Sequence, residues 1–310
     1  MEIALFKRLV KTGLKKFKAI FDQFKNGLRL FFFKITKSSL KTLFDSDIIN
    51  KISNNLSIVS TEETLSEIES YIVSKSRGIY LRFGDGDVYL LKHRSDSYQN
   101  SSAKLSIEMN DAFLLSGNGV FKCLAIHSDL FGYEDGMVNG NHKNKDFLAY
   151  KLLQDTYVYF IGSKIYSPVA LHFLSTINIE RANNFLKILK QNTYLFVGNE
   201  TINPDVVSLL FGNKTKHIKT PPKNAYDEID RVEDEIINYL NTSNSFKVIC
   251  IAMGCSGRPL MKRLWGQSRN VFLFDFGSLL DGIAGNNSRT WLRKNEINYD
   301  LLLKGLNDIE

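Results

Sequence analysis

The stretch that decides the fold is "GIYLRFGDGDVYLL", Gly78 to Leu91. It opens as an apolar run of strand length over 78 to 83, breaks on two glycines, and resumes at helical spacing from about residue 86. A strand that turns straight into a helix is the repeating unit of a parallel α/β sheet. The turn also carries two carboxylates, Asp85 and Asp87. Like charges this close repel unless something positive lies between them. Aspartates two apart in extended chain project to the same side, so the pair can converge on one hard cation, and the flanking glycines let a ligand approach the backbone. The competing interpretation is a solvated Asp-Gly turn, chosen for positive φ and side-chain capping.

The same alternation continues outward. Helices are expected at about 61 to 76, 86 to 93, 102 to 116, 144 to 154, 168 to 176, 180 to 190, 204 to 211, 224 to 240 and 257 to 266. Strands are expected at "VFKCLAI" (120 to 126), "TYVYFIG" (156 to 162), "TYLFVG" (193 to 198), near 216 to 219, at "FKVICIAMG" (246 to 254) and at "VFLFDFG" (271 to 277). Strands apolar on both faces, separated by helix-length segments, predict a mostly parallel, Rossmann-like sheet with helices on both faces.

In such sheets ligands gather at the carboxyl ends of the strands. Asp85 and Asp87 follow one strand, and His127 and Asp129 follow "VFKCLAI". Asn199 and Glu200 follow "TYLFVG", and the turn "GCSG", Gly254 to Gly257, follows "VICIAM". Asp275, Ser278 and Asp281 end or follow "VFLF". "MGCSGRP" (253 to 259) offers free backbone N–H groups at a helix start, a setting for phosphate, or else a tight turn with Ser256 as N-cap. Arg82 stands beside the acids, where it can neutralise them or a diphosphate. Asn224 and Tyr226 sit at a Pro-preceded helix start. The glycine-rich, polar tract 128 to 146 predicts a long loop above the sheet, a lid or acceptor-site wall.

The chain of 310 residues carries a formal charge of +7. Residues 1 to 45 hold eleven Lys or Arg against Glu2, Asp22 and Asp45, a net +8, while the remaining 29 basic and 30 acidic residues give −1. A nearly neutral body excludes a general nucleic-acid footprint. Within the basic segment Leu5, Phe6, Leu9, Leu14, Phe17, Ile20, Phe21, Phe24 and Leu28 recur at three- and four-residue steps opposite a lysine face, which predicts a basic amphipathic helix. Lysines interrupt it too often for a transmembrane span or a signal peptide, leaving an anionic membrane surface or protein packing as its partner. The expected organisation is this helical segment over 1 to 50 and an α/β catalytic domain over 55 to 310. Three cysteines without a CxxC pair suit a reducing, cytoplasmic setting, with the basic helix able to hold the chain on the inner membrane face.

"RFGDGD" closely resembles the "RFGDGE" signature of bacterial GT-D fold glycosyltransferases. An "LFVGN" strand end, "PPKNAYDEID" (221 to 230), the glycine turn after "VICIAMG" and a closing "FDFGSLLD" agree in order, over roughly residues 60 to 290. Asp85 and Asp87 match the acidic positions of that signature, with Asp87 in place of the usual Glu. The resemblance implies a transferase that moves a sugar from a nucleotide donor, a UDP-sugar, to a hydroxyl of a glycan, lipid-linked or other cell-surface precursor. It further implies Mn²⁺ or Mg²⁺ on Asp85 and Asp87 and nucleotide contacts near Asn224 and Tyr226. Strand-end position and charge add Arg82, Gly84, Asn199, Gly254, Ser256, Gly257 and Asp275 as donor contacts, and Glu200, Asp281 and Asp275 as unranked candidates for the acceptor base. Two alternatives accompany it. One is a haloacid-dehalogenase-like phosphatase, whose Asp-x-Asp usually continues Gly-Thr where this chain has Val88 and Tyr89. The other is a nucleotide-binding, membrane-associated module without turnover.

Overall fold

The computed structural model describes residues 57–126, 145–267, 269–286 and 289–309. The basic segment, His127, Asp129 and most of the tract 128–146 lie outside the described residues. Eight strands are formed within them: β1 (Ser57–Ile58), β2 (Gly78–Phe83), β3 (Val120–Leu124), β4 (Lys164–Ile165), β5 (Thr193–Asn199), β6 (Lys216–Thr220), β7 (Lys247–Ala252) and β8 (Val271–Asp275). Twelve α-helices join them: α1 (Thr61–Val73), α2 (Asp85–Leu91), α3 (Ala103–Phe113), α4 (Lys145–Thr156), α5 (Ala170–Ile177), α6 (Ile179–Asn192), α7 (Pro204–Phe211), α8 (Ile229–Leu240), α9 (Gly257–Gly266), α10 (Leu279–Ile283), α11 (Thr290–Lys294) and α12 (Tyr299–Leu302). Six strands make one all-parallel sheet in the order β3-β2-β8-β7-β5-β6. β1 and β4 form a separate parallel pair, joined to the edge of the sheet by a bridge between Cys123 and Tyr166.

Burial on both faces explains the apolar runs. β8 is buried throughout, and β2 is buried except at Arg82. The period of two divides the strands: Tyr80, Val248, Cys250, Phe272 and Phe274 enter one core with Leu65, Ile68, Phe185 and Leu186 of α1 and α6. Phe83 points the other way and stacks on Phe113 of α3, centroids 3.9 Å apart. Each such buried aromatic contributes about 2–3 kcal/mol by area removed from water.

The helix starts follow their capping residues. Ser60 Oγ accepts the Glu63 N–H at 3.1 Å, Ser102 Oγ that of Leu105 at 3.1 Å, and Asn178 Oδ1 that of Arg181 at 3.2 Å. Asn203 caps α7, whose first residue is Pro204.

One predicted strand does not form. Over "TYVYFIG" the chain ends α4 at Thr156, makes a 3₁₀ turn at Tyr157–Tyr159, and reaches extended chain only at Lys164–Ile165. Only Phe160 of the segment's large side chains is fully buried, while Val158 and Ile161 are exposed at 56% and 57%, so neither alternating face meets a core. The 224–240 helix is likewise split, a 3₁₀ turn at Ala225–Glu228 preceding α8.

Candidate functional site

The sheet brings the carboxyl ends of β2, β8 and β7 side by side. At the end of β2, Gly84 remains extended at φ −136° and helix α2 begins at the next residue. Asp85 and Asp87 are therefore the first and third residues of a helix, not neighbours on extended chain. At 3.6 residues per turn they point about 200° apart. Asp85 is exposed and accepts only the adjacent Gly86 N–H, at 2.9 Å. Asp87 turns inward, is 2% exposed, and folds back so that Oδ2 accepts the Gly84 N–H at 2.8 Å. The expected convergence on one cation is corrected by this helical start.

The positive charge beside Asp87 is Arg258, the second residue of α9. Its Nε lies 3.3 Å from Asp87 Oδ1, and its Nη1 lies 3.2 Å from Asp275 Oδ2. The same guanidinium donates from Nε to the carbonyl of Arg82 at 2.8 Å, from Nη2 to that carbonyl again, and from Nη1 to the carbonyl of Gly254. One side chain thus ties together the ends of β2, β7 and β8. Burial alone would lower the Arg258 guanidinium, and Asp275 and Asp87 more than reverse this. Asp87 is pushed up to about 6, first by burial, with Arg258 and the Gly84 N–H opposing and Asp275 adding to the rise. Asp87 Oδ1 and Asp275 Oδ2 are both buried without a hydrogen bond, so Arg258 meets them as a charge and not along a bond direction.

Arg82 shares the strand face of Tyr80 and so runs to the opposite layer. Its Nε donates to the Pro168 carbonyl, its Nη2 lies 3.4 Å from His172 Nε2, and its Nη1 approaches Asp275 Oδ1 at 3.8 Å. It occupies the space that a side chain on Gly277 would need: a Cβ there would come 1.5 Å from Nη1, on a backbone already at φ +69°. His172 is buried, and burial together with Arg82 lowers its pKa well below the usual value. The neutral ring accepts the Leu279 N–H through Nε2 at 3.2 Å, which holds the turn after β8. Ser278 in that turn accepts from Trp291 Nε1 at 3.0 Å.

A polar layer lies alongside. Gln99 is buried, and its Oε1 accepts from the Tyr226 N–H at 3.0 Å and from Ser256 Oγ at 2.8 Å. Ser256 is thus committed to Gln99 and does not cap α9. Cys255 Sγ donates to Asp96 Oδ2 at 3.3 Å, and Gly86 leaves room for both, since a Cβ on it would sit 3.0 Å from each. Asn224, in the left-handed region at φ 55°, accepts the Asn100 N–H at 2.9 Å and donates its own N–H to the Tyr98 carbonyl at 2.8 Å. Gly254 is at φ +56°, and nothing lies within 4 Å of where its Cβ would be. That side of the turn is open.

The other candidates have other partners than Arg258, although β5 adjoins β7. Asn199 Oδ1 closes its own turn by accepting the Thr201 N–H at 3.0 Å. Glu200 is exposed at the end of β5, three strands and so about 14 Å of sheet from β2. Asp281, in α10, pairs with Arg289 at 3.8 Å and is raised by burial, and Arg289 lies over the Tyr98 ring at 4.7 Å.

As a pair, Asp85 and Asp87 do not fit a divalent cation: one faces solvent, and the other spends its two oxygens on Gly84 and Arg258. Among the described residues no group of three or more His, Cys, Asp or Glu side chains could hold a metal ion. Sequence reasoning missed Arg258, His172, Asp96 and Gln99. Arg258 had a signal, being a cation inside a strand-end turn opposite an acidic strand-end turn. Asp96 and Gln99 had none, because a polar loop residue that reaches across the sheet looks like any solvated loop residue.

The profile of a family described as glycosyltransferase GT-D fold matches residues 80–279. A solved selenomethionine-substituted structure of domain of unknown function 1792 (DUF1792) superposes with TM-score 0.56 at 19% identity, covering 75% of this chain and 82% of that one. A structure described as a new glycosyltransferase (DUF1792) from Streptococcus sanguinis gives TM-score 0.54 at 16% identity, covering 80% of this chain and 92% of that one. At such identities the likeness to these structures is one of fold. No curated protein matches the chain.

Proposed function

Because the chain belongs to the glycosyltransferase GT-D fold family and is a glycosyltransferase, we propose that its donor is a nucleotide-sugar, a UDP-sugar, bound at the carboxyl ends of β2, β7 and β8. The observation that carries this is the junction at Arg258, where three strand-end turns meet around one guanidinium. The acceptor is a hydroxyl of a glycan, lipid-linked or other cell-surface precursor. The family assignment also decides against the phosphatase alternative.

The donor diphosphate lies against the turn Gly254–Gly257. That turn is a 3₁₀ helix, Gly254–Ser256, running into the ten-residue helix α9. The Gly257 N–H is turned back on the Gly254 and Cys255 carbonyls and Pro259 has none, so the backbone at the exposed Gly254 and half-buried Cys255, with the positive end of the helix dipole behind it, is what faces the phosphate. Its open side at Gly254 lets phosphate oxygens approach the backbone. Arg258 lies beneath, with Nη1 on the Gly254 carbonyl, where its charge favours the negative charge that builds on the departing diphosphate. The acceptor oxygen attacks the anomeric carbon, the carbon–oxygen bond to the diphosphate breaks, and the nucleotide diphosphate leaves with that electron pair. The acceptor proton passes to a carboxylate. Asp281, raised by burial, and Glu200, exposed, are the candidates on this edge.

The experiment is ligand-observed NMR of the full chain with UDP-hexoses, set against ADP- and GDP-sugars, followed by assay of UDP release with crude envelope glycans. Saturation of UDP-sugar signals with UDP release supports the proposal. Binding without release on any acceptor returns the chain to the nucleotide-binding module without turnover, and loss of all nucleotide signals contradicts the donor assignment.

Residues 1–45, at net +8, suit an anionic membrane surface on the cytoplasmic side, where each basic residue near the surface contributes about 1 kcal/mol. Full-length protein is expected to co-sediment with phosphatidylglycerol vesicles and to release at about 0.5 M salt. Replacing Lys7, Lys11, Lys15 and Lys18 by Gln should abolish the effect, and unchanged sedimentation would refute it.

A further inference from the structure

The two acids of "RFGDGD" are usually taken together because they stand two apart. The structure gives them different surroundings: Asp87 is 2% exposed, with Oδ2 on the Gly84 N–H at 2.8 Å and Oδ1 3.3 Å from Arg258 Nε. Asp85 is exposed, holds one N–H of its own turn, and has no ion pair among the described residues. The cause is local. The helix begins at Asp85, so the two side chains leave the axis on opposite sides, and an aspartate at the third position is short enough to turn back on the N-cap backbone. A cation brought to both acids would have to displace Arg258, which also holds the Arg82 and Gly254 carbonyls and Asp275.

We infer that the acids have separate roles: Asp87 is a positioning residue that fastens the start of α2 to Arg258, and Asp85 is the single carboxylate this turn offers to a cation or a substrate. The inference rests on the donor site proposed above. A divalent ion held mainly by substrate phosphates needs one or two protein carboxylates, so one suffices. Asp87 acts through Arg258, keeping the β2 turn and the β7 turn at a fixed separation under the diphosphate.

Two measurements on the full chain test this. The first needs no ligand: thermal unfolding of Arg258→Met alone and combined with Asp87→Asn or Asp85→Asn, with Arg258→Lys as a milder substitute if the first variant does not fold. The Tm loss caused by the Arg258 change should shrink by about half or more in the Asp87→Asn background and stay the same in the Asp85→Asn background, as contact predicts coupling and separation predicts additivity. Equal losses in both backgrounds overturn the positioning role. The second is calorimetric titration of UDP with Mn²⁺ present: Asp85→Asn should weaken binding about 10-fold or more, the scale of one lost charged contact, and Asp87→Asn should weaken it clearly less, because the amide keeps the size of the side chain and an oxygen for the Gly84 N–H. Equal weakening by both variants overturns the division of roles. If the unaltered chain binds no nucleotide, the donor assignment fails while the unfolding measurement still decides the role of Asp87.

Discussion

At the scale of single residues, Asp87 carries an energetic cost that is measurable without substrate. Its folded pKa of about 6 stands above the unfolded value near 3.9, so between those values the native state binds more protons than the unfolded one. Stability therefore falls as pH rises from about 4 to about 6, by about 3 kcal/mol from this group, and is flat in this contribution above pH 7. Asp87→Asn should remove that slope in urea unfolding curves and leave the protein at least as stable as wild type at pH 7.5. A variant clearly less stable at pH 7.5 would contradict the balance of burial over ion pairing. Gly277→Ala tests the neighbouring contact, because the added Cβ meets Arg82 Nη1 on a left-handed backbone. The expected loss is about 2 kcal/mol or more, read as a Tm decrease of at least about 4 °C. The acids themselves were legible in the sequence, but their directions were not. Residue spacing translates into direction only once the backbone state is known, and one residue's difference in where a helix begins sends the two side chains apart.

At the scale of elements, the alternation of apolar strands and amphipathic helices located most of the fold, because burial on both faces leaves few polar positions in a central strand. "TYVYFIG" shows the limit: it has the composition of a strand, and of its large side chains the core took Phe160 alone. The 57–58 strand pairs with 164–165 over only two residues each, too short a run to leave a pattern. The junction of β2, β7 and β8 was half legible, since the turns were identifiable and the arginine that joins them was not read as their link. Arg258→Met leaves Asp87 and Asp275 buried with reduced compensation, so a loss of about 3–5 kcal/mol is expected in denaturant unfolding. A loss under about 1 kcal/mol would mean that the junction is held by backbone packing and not by charge.

At the scale of the whole molecule, the parallel sheet determines where chemistry can occur, since it lines up the carboxyl ends of β2, β8 and β7 and places Asn199 and Glu200 at the end of β5, beside β7 and three strands from β2. Among the described residues no helix is long and apolar enough to cross a membrane. The charge of the chain lies instead in its first 45 residues, a division visible in the sequence alone. The family was legible from a six-residue motif, whereas the sugar and the acceptor depend on loop side chains that no periodicity reveals. The central claim is that this edge binds a nucleoside diphosphate. Calorimetric titration of UDP into the full chain, with Mn²⁺ and then with EDTA, tests it most directly. The account predicts saturable one-to-one binding that Gly254→Val, which fills the open side of the phosphate turn, weakens by at least about 10-fold through lost backbone contacts. Absence of heat with UDP and with ADP and GDP, at protein concentrations near 0.1 mM (an estimate for reaching weak affinities), would contradict it.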